Sequence, residues 1–159
     1  MTKEDLLQAS HVLLDGGIGS ELYKRGVYIN KCFEEINLTN ESLVEQIHKD
    51  YVNAGSNIIT TNTWGANSLK LKSFGLDDKL EKINQKAVSL AKAAAQDKAL
   101  VAGSVGPLGV RIEPFGPTSF EEAKSIFAQQ IRALKKAGCD LITLETFNDL
   151  SEIKQAIKA

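Results

Sequence analysis

Short apolar runs alternate with amphipathic stretches along this chain. Four runs have the length and composition of buried strands, at residues 12–14, 57–61, 99–102 and 141–144. Between them, apolar residues recur every three or four positions over 43–54, 83–94 and 120–134, which is the spacing of one helix face. Strands and helices in regular alternation predict an α/β fold with parallel strands and right-handed crossovers.

The predicted helices carry sequence signals at their ends. Gly55 and Gly138 follow the first and third helical stretches, where a glycine commonly ends a helix. Ser119 precedes the third stretch and Glu122 stands three residues later, which is the spacing of an N-terminal capping box. These signals delimit a repeating strand–helix unit.

An internal repeat supports that unit. "AGSNIITTNTW" begins at Ala54 and "AGCDLITLETF" begins at Ala137, and the two align without gaps. Each copy contains a helix end, a glycine cap and a buried strand. The third strand lies about midway between the copies, so the unit is roughly 40 residues long, which favours a (βα) TIM-barrel-type fold. A doubly wound open sheet gives a similar alternation and is the alternative.

Polar or glycine residues follow each predicted strand. Asn62 and Glu145 occupy equivalent places in the two repeats. Asp15 follows the first strand, and Ser104 and Gly106 follow the third. The carboxyl ends of parallel strands meet at one rim, where barrels and open α/β sheets both place their sites. The pattern therefore predicts one functional site at this rim.

A structural explanation exists for each of these polar residues taken alone. Asp15 before two glycines is also typical of a turn, and Asn62 of a turn cap. Glu145 is also compatible with an ion pair to a surface lysine. The functional interpretation depends on these side chains coming together in space.

Composition limits the classes of function. The 159 residues suit one domain, with 43% hydrophobic and 25% charged residues and a formal net charge of −1. That charge provides no basic field for nucleic acid, and no apolar run approaches the roughly 20 residues of a membrane helix. The charged start, MTKEDLLQAS, does not have the apolar core of a signal peptide. Cys32 and Cys139 do not make a disulfide framework, which favours a reducing cytoplasm.

The two predicted acids indicate a zwitterionic ligand. Asp15 and Glu145 are suited to hold an ammonium group, and the backbone N–H groups of Gly16 and Gly17 a carboxylate. An amino acid is therefore the predicted substrate. Paired carboxylates also perform acid–base chemistry on sugars, which fits less well because no aromatic platform accompanies them here.

Several stretches of the sequence resemble one enzyme family. They include "LLDGGIGSEL", "TTNTWGAN", "INQKAVSLAK", "VAGSVGP" and "LETFNDLSE", and with the segment from "INLTNESL" onward they extend over nearly the whole chain. On these motifs the chain resembles the homocysteine S-methyltransferase domain, a zinc-dependent barrel that methylates homocysteine to methionine. The "KCFEEINL" stretch is most similar to the bifunctional bacterial type, which joins this barrel to a methylenetetrahydrofolate reductase.

The resemblance implies roles for particular residues. In the family, the acids of the DGG and ETF motifs hold the substrate amino group, and the matching positions here are Asp15 and Glu145. The glycine turn that receives the substrate carboxylate matches Gly16 and Gly17. The other expected contacts to homocysteine are Asn62 and Ser104.

The resemblance also implies a zinc ion, which keeps the homocysteine sulfur deprotonated for attack on the methyl group. The family binds zinc through three cysteines, in an Asn-Cys segment and a Gly-Gly-Cys-Cys-Gly segment, and this sequence contains neither segment. Neither Cys32 nor Cys139 is assigned as a ligand, so no metal ligand and no catalytic residue are predicted in this chain. The methyl donor stays open among a folate, methylcobalamin, S-methylmethionine and a betaine.

Length and strand count predict half a barrel. A complete (βα)8 barrel needs about 250 residues, whereas residues 1–159 contain four predicted strands and are expected to be the N-terminal half of a homocysteine-binding barrel. The predicted partner is the missing C-terminal half, without which the chain is expected to be inactive. Open strand edges also predict homo-oligomers. The alternative function is a non-catalytic half-barrel that serves in ligand binding or assembly.

Overall fold

A parallel sheet of three strands organises the chain. The computed structural model describes residues 2–159, in which β1 (Ile58–Thr60), β2 (Leu100–Val105) and β3 (Leu141–Leu144) lie side by side in chain order. Ile58 pairs with Leu100, and Ala102 pairs with Leu141, both in parallel register. The predicted α/β architecture with parallel strands is confirmed, and the sheet is open.

Helices fill the connections between the strands. The three long helical stretches predicted from periodicity are present as α4 (Glu41–Asn53), α6 (Leu80–Ala95) and α7 (Phe120–Lys136). No helix within residues 2–159 is long and apolar enough to cross a membrane. The shorter helices are α1 (Lys3–Gln8), α2 (Ile18–Lys24), α3 (Ile36–Thr39), α5 (Ser68–Lys72) and α8 (Leu150–Lys158).

Local chemistry at the helix ends agrees with the sequence signals. Ser119 accepts a hydrogen bond from Glu122 N at 3.1 Å, which is one half of the expected capping box. A separate carboxylate, that of Glu113, accepts a hydrogen bond of 3.1 Å from Phe120 N, the first N–H group of the helix. Gly55 follows α4 with a φ of +100°, a left-handed conformation that favours glycine.

The long helices cover one face of the sheet. Ile59 of β1 and Val101 of β2 pack with Val52 of α4 and Ala91 of α6. Phe127 of α7 is fully buried in a second cluster. Because every residue of β2 is buried, this strand runs through the centre of the core.

The opposite face of the sheet leads to the candidate site. It bears Ile58, Leu100 and Ala102, which form a smaller apolar cluster. Side chains alternate along a strand, so Thr60 of β1 and Ser104 of β2 lie on this same face, nearer the carboxyl ends of the strands. Polar side chains at the strand ends therefore lie directly next to this apolar cluster.

The predicted first strand, residues 12–14, is reduced to a single parallel bridge between Leu14 and Ile58. Leu13 N donates to the side-chain oxygen of Asn57 at 2.9 Å. This side-chain oxygen takes the place of the backbone carbonyl that would accept in a regular strand pair. Leu13 and Leu14 are also 55% and 47% exposed, so their side chains bury little area that would extend the pairing. The segment still lies beside β1, since Asp15 N donates to Ile58 O at 3.0 Å.

Ser104 was expected to follow the third predicted strand, and this expectation is wrong. The strand continues beyond residue 102, and Ser104 pairs with Thr143 in the β2–β3 ladder. A Cβ at Gly103 would lie 3.0 Å from Leu134, so the glycine allows α7 to pack closely and the strand to continue. Gly103 and Ser104 resemble a turn in the sequence, but both lie inside the central strand β2.

Candidate functional site

A cavity of about 230 Å³ lies at the carboxyl ends of β1 and β2, beside the start of α2. Polar and glycine residues from separate segments of the chain meet in its wall, as the strand-end pattern predicts. Five of the six residues expected to bind substrate contribute to this wall: Gly16, Gly17, Asn62, Ser104 and Glu145.

Glu145 is held at the cavity by the neighbouring strand. Its Oε1 accepts a hydrogen bond of 2.5 Å from the hydroxyl of Ser104, and its backbone N–H donates to Val105 O at 3.1 Å. Ser104 is itself fixed, because its N–H donates to Thr61 Oγ1 at 3.1 Å and its carbonyl accepts from Thr63 Oγ1 at 2.7 Å. Within residues 2–159 no lysine or arginine forms an ion pair with Glu145.

Asp15 lies next to the cavity without forming part of its wall. Its carboxylate accepts hydrogen bonds from Thr60 N at 2.7 Å and from Thr60 Oγ1 at 3.1 Å. Burial, and to a smaller extent the negative charge of nearby Glu145, raise the pKa of Asp15 to about 6, although the hydrogen bonds from Thr60 oppose this shift. The two acids are therefore close enough to interact electrostatically, and Asp15 is mostly ionised at neutral pH.

The two glycines connect Asp15 to a helix start. Gly17 is the N-cap of α2, so the first N–H groups of that helix have no partner within the helix. A Cβ on Gly16 would lie 2.8 Å from the hydroxyl oxygen of Tyr51, which packs against this turn. Tyr51 also donates to Gly17 O at 3.4 Å. A close turn with free N–H groups is a suitable place for an anionic group.

Asn62 lines the cavity and also fixes a neighbouring segment of the chain. Its side-chain nitrogen donates to Phe33 O at 2.6 Å and to Asn37 Oδ1 at 3.1 Å. Asn37 donates in return to Asn62 O at 2.8 Å. Although Asn62 lines the cavity, its amide group fixes the 33–37 segment against the end of β1.

Sequence reasoning did not find Glu34, a third carboxylate at the cavity. Glu34 Oε1 accepts a hydrogen bond from Gly65 N at 2.6 Å, which brings this residue to the strand ends. Phe33 and Trp64 provide aromatic walls. Of Glu34, Phe33 and Trp64, only Trp64 is indicated by the sequence, because it aligns with Phe147 in the internal repeat.

Comparison with known proteins assigns the chain to a family. A sequence profile described as Homocysteine S-methyltransferase matches residues 12–159. The chain belongs to this family. The resemblance predicted from the DGG, TNTWGAN and ETF motifs is thereby confirmed.

Individual members of the homocysteine S-methyltransferase family are similar over most of this chain. Methionine synthase of Mycobacterium tuberculosis is 27% identical, in an alignment covering 96% of this chain and 14% of that protein. Betaine–homocysteine S-methyltransferase 1 of Sus scrofa is 31% identical, with 98% of this chain and 57% of that protein covered. A crystal structure of the homocysteine methyltransferase MmuM from Escherichia coli, in metallated form, has a TM-score of 0.84 at 28% identity and covers 97% of this chain.

The chain spans only part of these relatives. The alignments cover between 14% and 60% of their lengths.

The zinc ion implied by this family does not fit the residues of this chain. The buried Cys32 thiol donates to Glu34 Oε2 at 3.4 Å, and burial raises its pKa to about 11. Cys139 precedes β3, at the opposite end of that strand from Glu145. Across residues 2–159 there is no group of three histidine, cysteine, aspartate or glutamate side chains placed to hold a metal ion. A zinc ion at Cys32 would have to displace a proton from a thiol whose pKa is raised, and the described residues supply no further ligands beside it.

Proposed function

We propose that this chain is the homocysteine-binding part of a homocysteine S-methyltransferase, the N-terminal half of a (βα)8 barrel. The observation that carries the proposal is that Thr60 and Ser104, which both line the cavity, hold the carboxylates of Asp15 and Glu145 beside the start of α2. This arrangement places the carboxylates of Glu34 and Glu145, with that of Asp15 nearby, and the first N–H groups of α2 around one small cavity. An α-amino acid is the ligand that carries both complementary groups.

In the proposed binding mode, the substrate ammonium lies against Glu145 and is attracted by Asp15. Ser104 occupies Oε1 of Glu145, which leaves Oε2 to accept from the ammonium. The substrate carboxylate accepts from the N–H groups of Gly16 and Gly17. The cavity of about 230 Å³ is below the roughly 300–1,000 Å³ typical of pockets for drug-sized ligands, which fits a small amino acid.

The proposed contribution of this half is binding and orientation. Holding a substrate in one geometry accelerates a later step only when the reacting groups are also present. The methyl donor and the groups that deprotonate the homocysteine thiol are assigned to the C-terminal half of the barrel. The chain alone is therefore expected to bind homocysteine without methylating it.

Isothermal titration calorimetry with L-homocysteine tests the proposal. Binding by the wild-type chain, and its loss in the double variant Asp15→Asn with Glu145→Gln, is the expected result. The desamino analogue 4-mercaptobutyrate is expected to bind far more weakly, because it does not have the ammonium group. Asp78→Asn, which changes an exposed acid that does not line the cavity, serves as the matched control. Absence of any heat with the wild-type chain contradicts the proposal.

The edge of the sheet supports the alternative function as an assembly unit. β3 pairs with β2 on one side, and all four of its residues are only half-buried. An unpaired strand edge is a template for pairing with another chain. Size-exclusion chromatography with light scattering is expected to show dimers or larger species, and a monomer at high concentration argues against assembly through this edge.

A further inference from the structure

Lys70 buries its ammonium group next to the candidate site. It lies in α5, the short helix after β1, and its Nζ is 3.5 Å from the centre of the Trp64 ring. No atom in the described part of the chain accepts a hydrogen bond from this Nζ, which is shielded from solvent. Burial lowers the pKa of Lys70. The face of the indole is therefore the main contact of this cation, as in a cation–π pair.

Two carboxylates lie near Lys70 but are held by other donors. Glu34 accepts from Gly65 N at 2.6 Å, and Glu152 accepts from Leu108 N at 2.7 Å. Both act on Lys70 through space, and neither forms an ion pair with it among residues 2–159. The carboxylates thus balance the charge of Lys70 from a distance, while the indole ring is in direct contact with the ammonium.

The stem of Lys70 is fitted between two glycines. A Cβ on Gly109 would lie 2.9 Å from Lys70 Cε, and a Cβ on Gly65 would lie 3.3 Å from Lys70 Cδ. Trp64 is also confined from a second direction, because a Cβ on Gly106 would clash with its Nε1. Glycines therefore lie against both Lys70 and Trp64, at positions where a Cβ would crowd the cation–π pair.

Trp64 separates two cavities. It lines the candidate site of about 230 Å³ and also a neighbouring cavity of about 340 Å³, which Lys70 lines as well. Trp64 remains 40% exposed, so packing alone does not immobilise the ring. A ring that turned toward the neighbouring cavity would widen the candidate site.

We propose that Lys70 is a positioning residue for homocysteine binding, whose ammonium fixes the Trp64 indole as a wall of the site. This inference rests on the proposed function. Lys70 itself does not line the homocysteine cavity and acts on the ligand through Trp64.

Trp64 is the only tryptophan in the chain, so tryptophan fluorescence anisotropy reports on this ring alone. Lys70→Met keeps the stem between the glycines and removes the charge. The variant is expected to gain fast local motion of Trp64 and to weaken homocysteine binding about fivefold, and Lys70→Arg is expected to restore both. Lys72→Met, an exposed lysine of the same helix, is the matched control and is expected to behave like the wild type.

The anisotropy experiment distinguishes this inference from the proposed function, because it is performed without ligand. A Trp64 ring that is equally immobile in Lys70→Met overturns the inference. Weaker homocysteine binding with unchanged ring motion overturns it too, since Lys70 would then act by another route. If Lys70→Met does not fold by circular dichroism, the neutral Lys70→Gln variant is measured in its place. Wild-type protein that binds no homocysteine refutes only the proposed function.

Discussion

The hydroxyl of Ser104 donates a hydrogen bond of 2.5 Å to the carboxylate of Glu145, from one strand of the sheet to the next. Ser104 is only 2% exposed, and its own backbone groups are bonded to threonines at the end of β1. The orientation of the Glu145 carboxylate is therefore determined by a residue inside the core.

Replacing Ser104 by alanine tests this relationship. A hydrogen bond to a charged group contributes about 1.5–3 kcal/mol, so Ser104→Ala is expected to weaken homocysteine binding by about tenfold or more. The measurement is calorimetry at pH 7. Ser125→Ala, an exposed serine in α7, is the control and is expected to bind as the wild type does. Equal affinity of Ser104→Ala and wild type would show that Glu145 does not depend on this bond.

The pH dependence of binding depends on Asp15. Because its pKa is raised to about 6, Asp15 gains its negative charge as the pH rises through that value. Homocysteine affinity is therefore expected to increase between pH 5 and 7, while the ligand keeps its ammonium charge. Asp15→Asn is expected to bind more weakly and to abolish this increase. A wild-type affinity that is the same at pH 5 and pH 7 would argue against electrostatic attraction of the ammonium by Asp15.

Folding stability is expected to fall in acid because of His48. This side chain is fully buried, and neither ring nitrogen has a hydrogen-bond partner among residues 2–159. Burial lowers its pKa from 6.5 to about 4. The unfolded chain therefore takes up a proton below pH 6.5 that the folded chain takes up only near pH 4, so the stability contribution of neutral His48 is lost as the pH falls through this window.

Urea unfolding at pH 7 and pH 5 measures the effect of His48. The linkage relation gives a loss of roughly 2 kcal/mol at pH 5 from this residue. His48→Leu is expected to remove that loss, whereas His11→Gln, at an exposed position, is expected to retain it. Asp15 acts in the opposite direction, because its raised pKa stabilises the folded state in acid and this contribution disappears as the pH rises through 6. The comparison between wild type and His48→Leu cancels the Asp15 contribution.

Phe127 is expected to be the most sensitive aromatic position for stability. It is fully buried against the sheet and its ring centre lies 5.8 Å from that of Phe147. Phe127→Ala is expected to lower the free energy of unfolding by about 3–5 kcal/mol, because it removes buried area and leaves a cavity. Phe115→Ala changes a ring that is 74% exposed and is expected to have an effect within about 0.5 kcal/mol. Similar losses in the two variants would place Phe127 outside the core.

The helices of the core could be predicted from the sequence because their signals are local. The patterns over 43–54, 83–94 and 120–134 correspond to α4, α6 and α7 within a few residues. The strands were harder to predict from the sequence, since a run of three or four apolar residues does not indicate whether a neighbouring strand will pair along its full length. The side chain of Asn57 interrupts the pairing of residues 12–14, and its target, Leu13, is 44 positions away in the sequence.

The residues of the candidate site that lie near strand ends could be predicted from the sequence. Those that reach the cavity through tertiary contacts could not. Gly16, Gly17, Ser104 and Glu145 line the cavity, because strand ends converge. Glu34 reaches the cavity through the backbone of Gly65, 31 positions later, and no periodic pattern encodes such a contact.

The burial of all six residues of β2 has a consequence for ligand recognition. A strand enclosed on every side keeps its backbone amides protected from exchange and its side chains in single rotamers. The Ser104 side of the pocket is therefore already ordered before a ligand arrives, and little conformational entropy remains to be lost there on association.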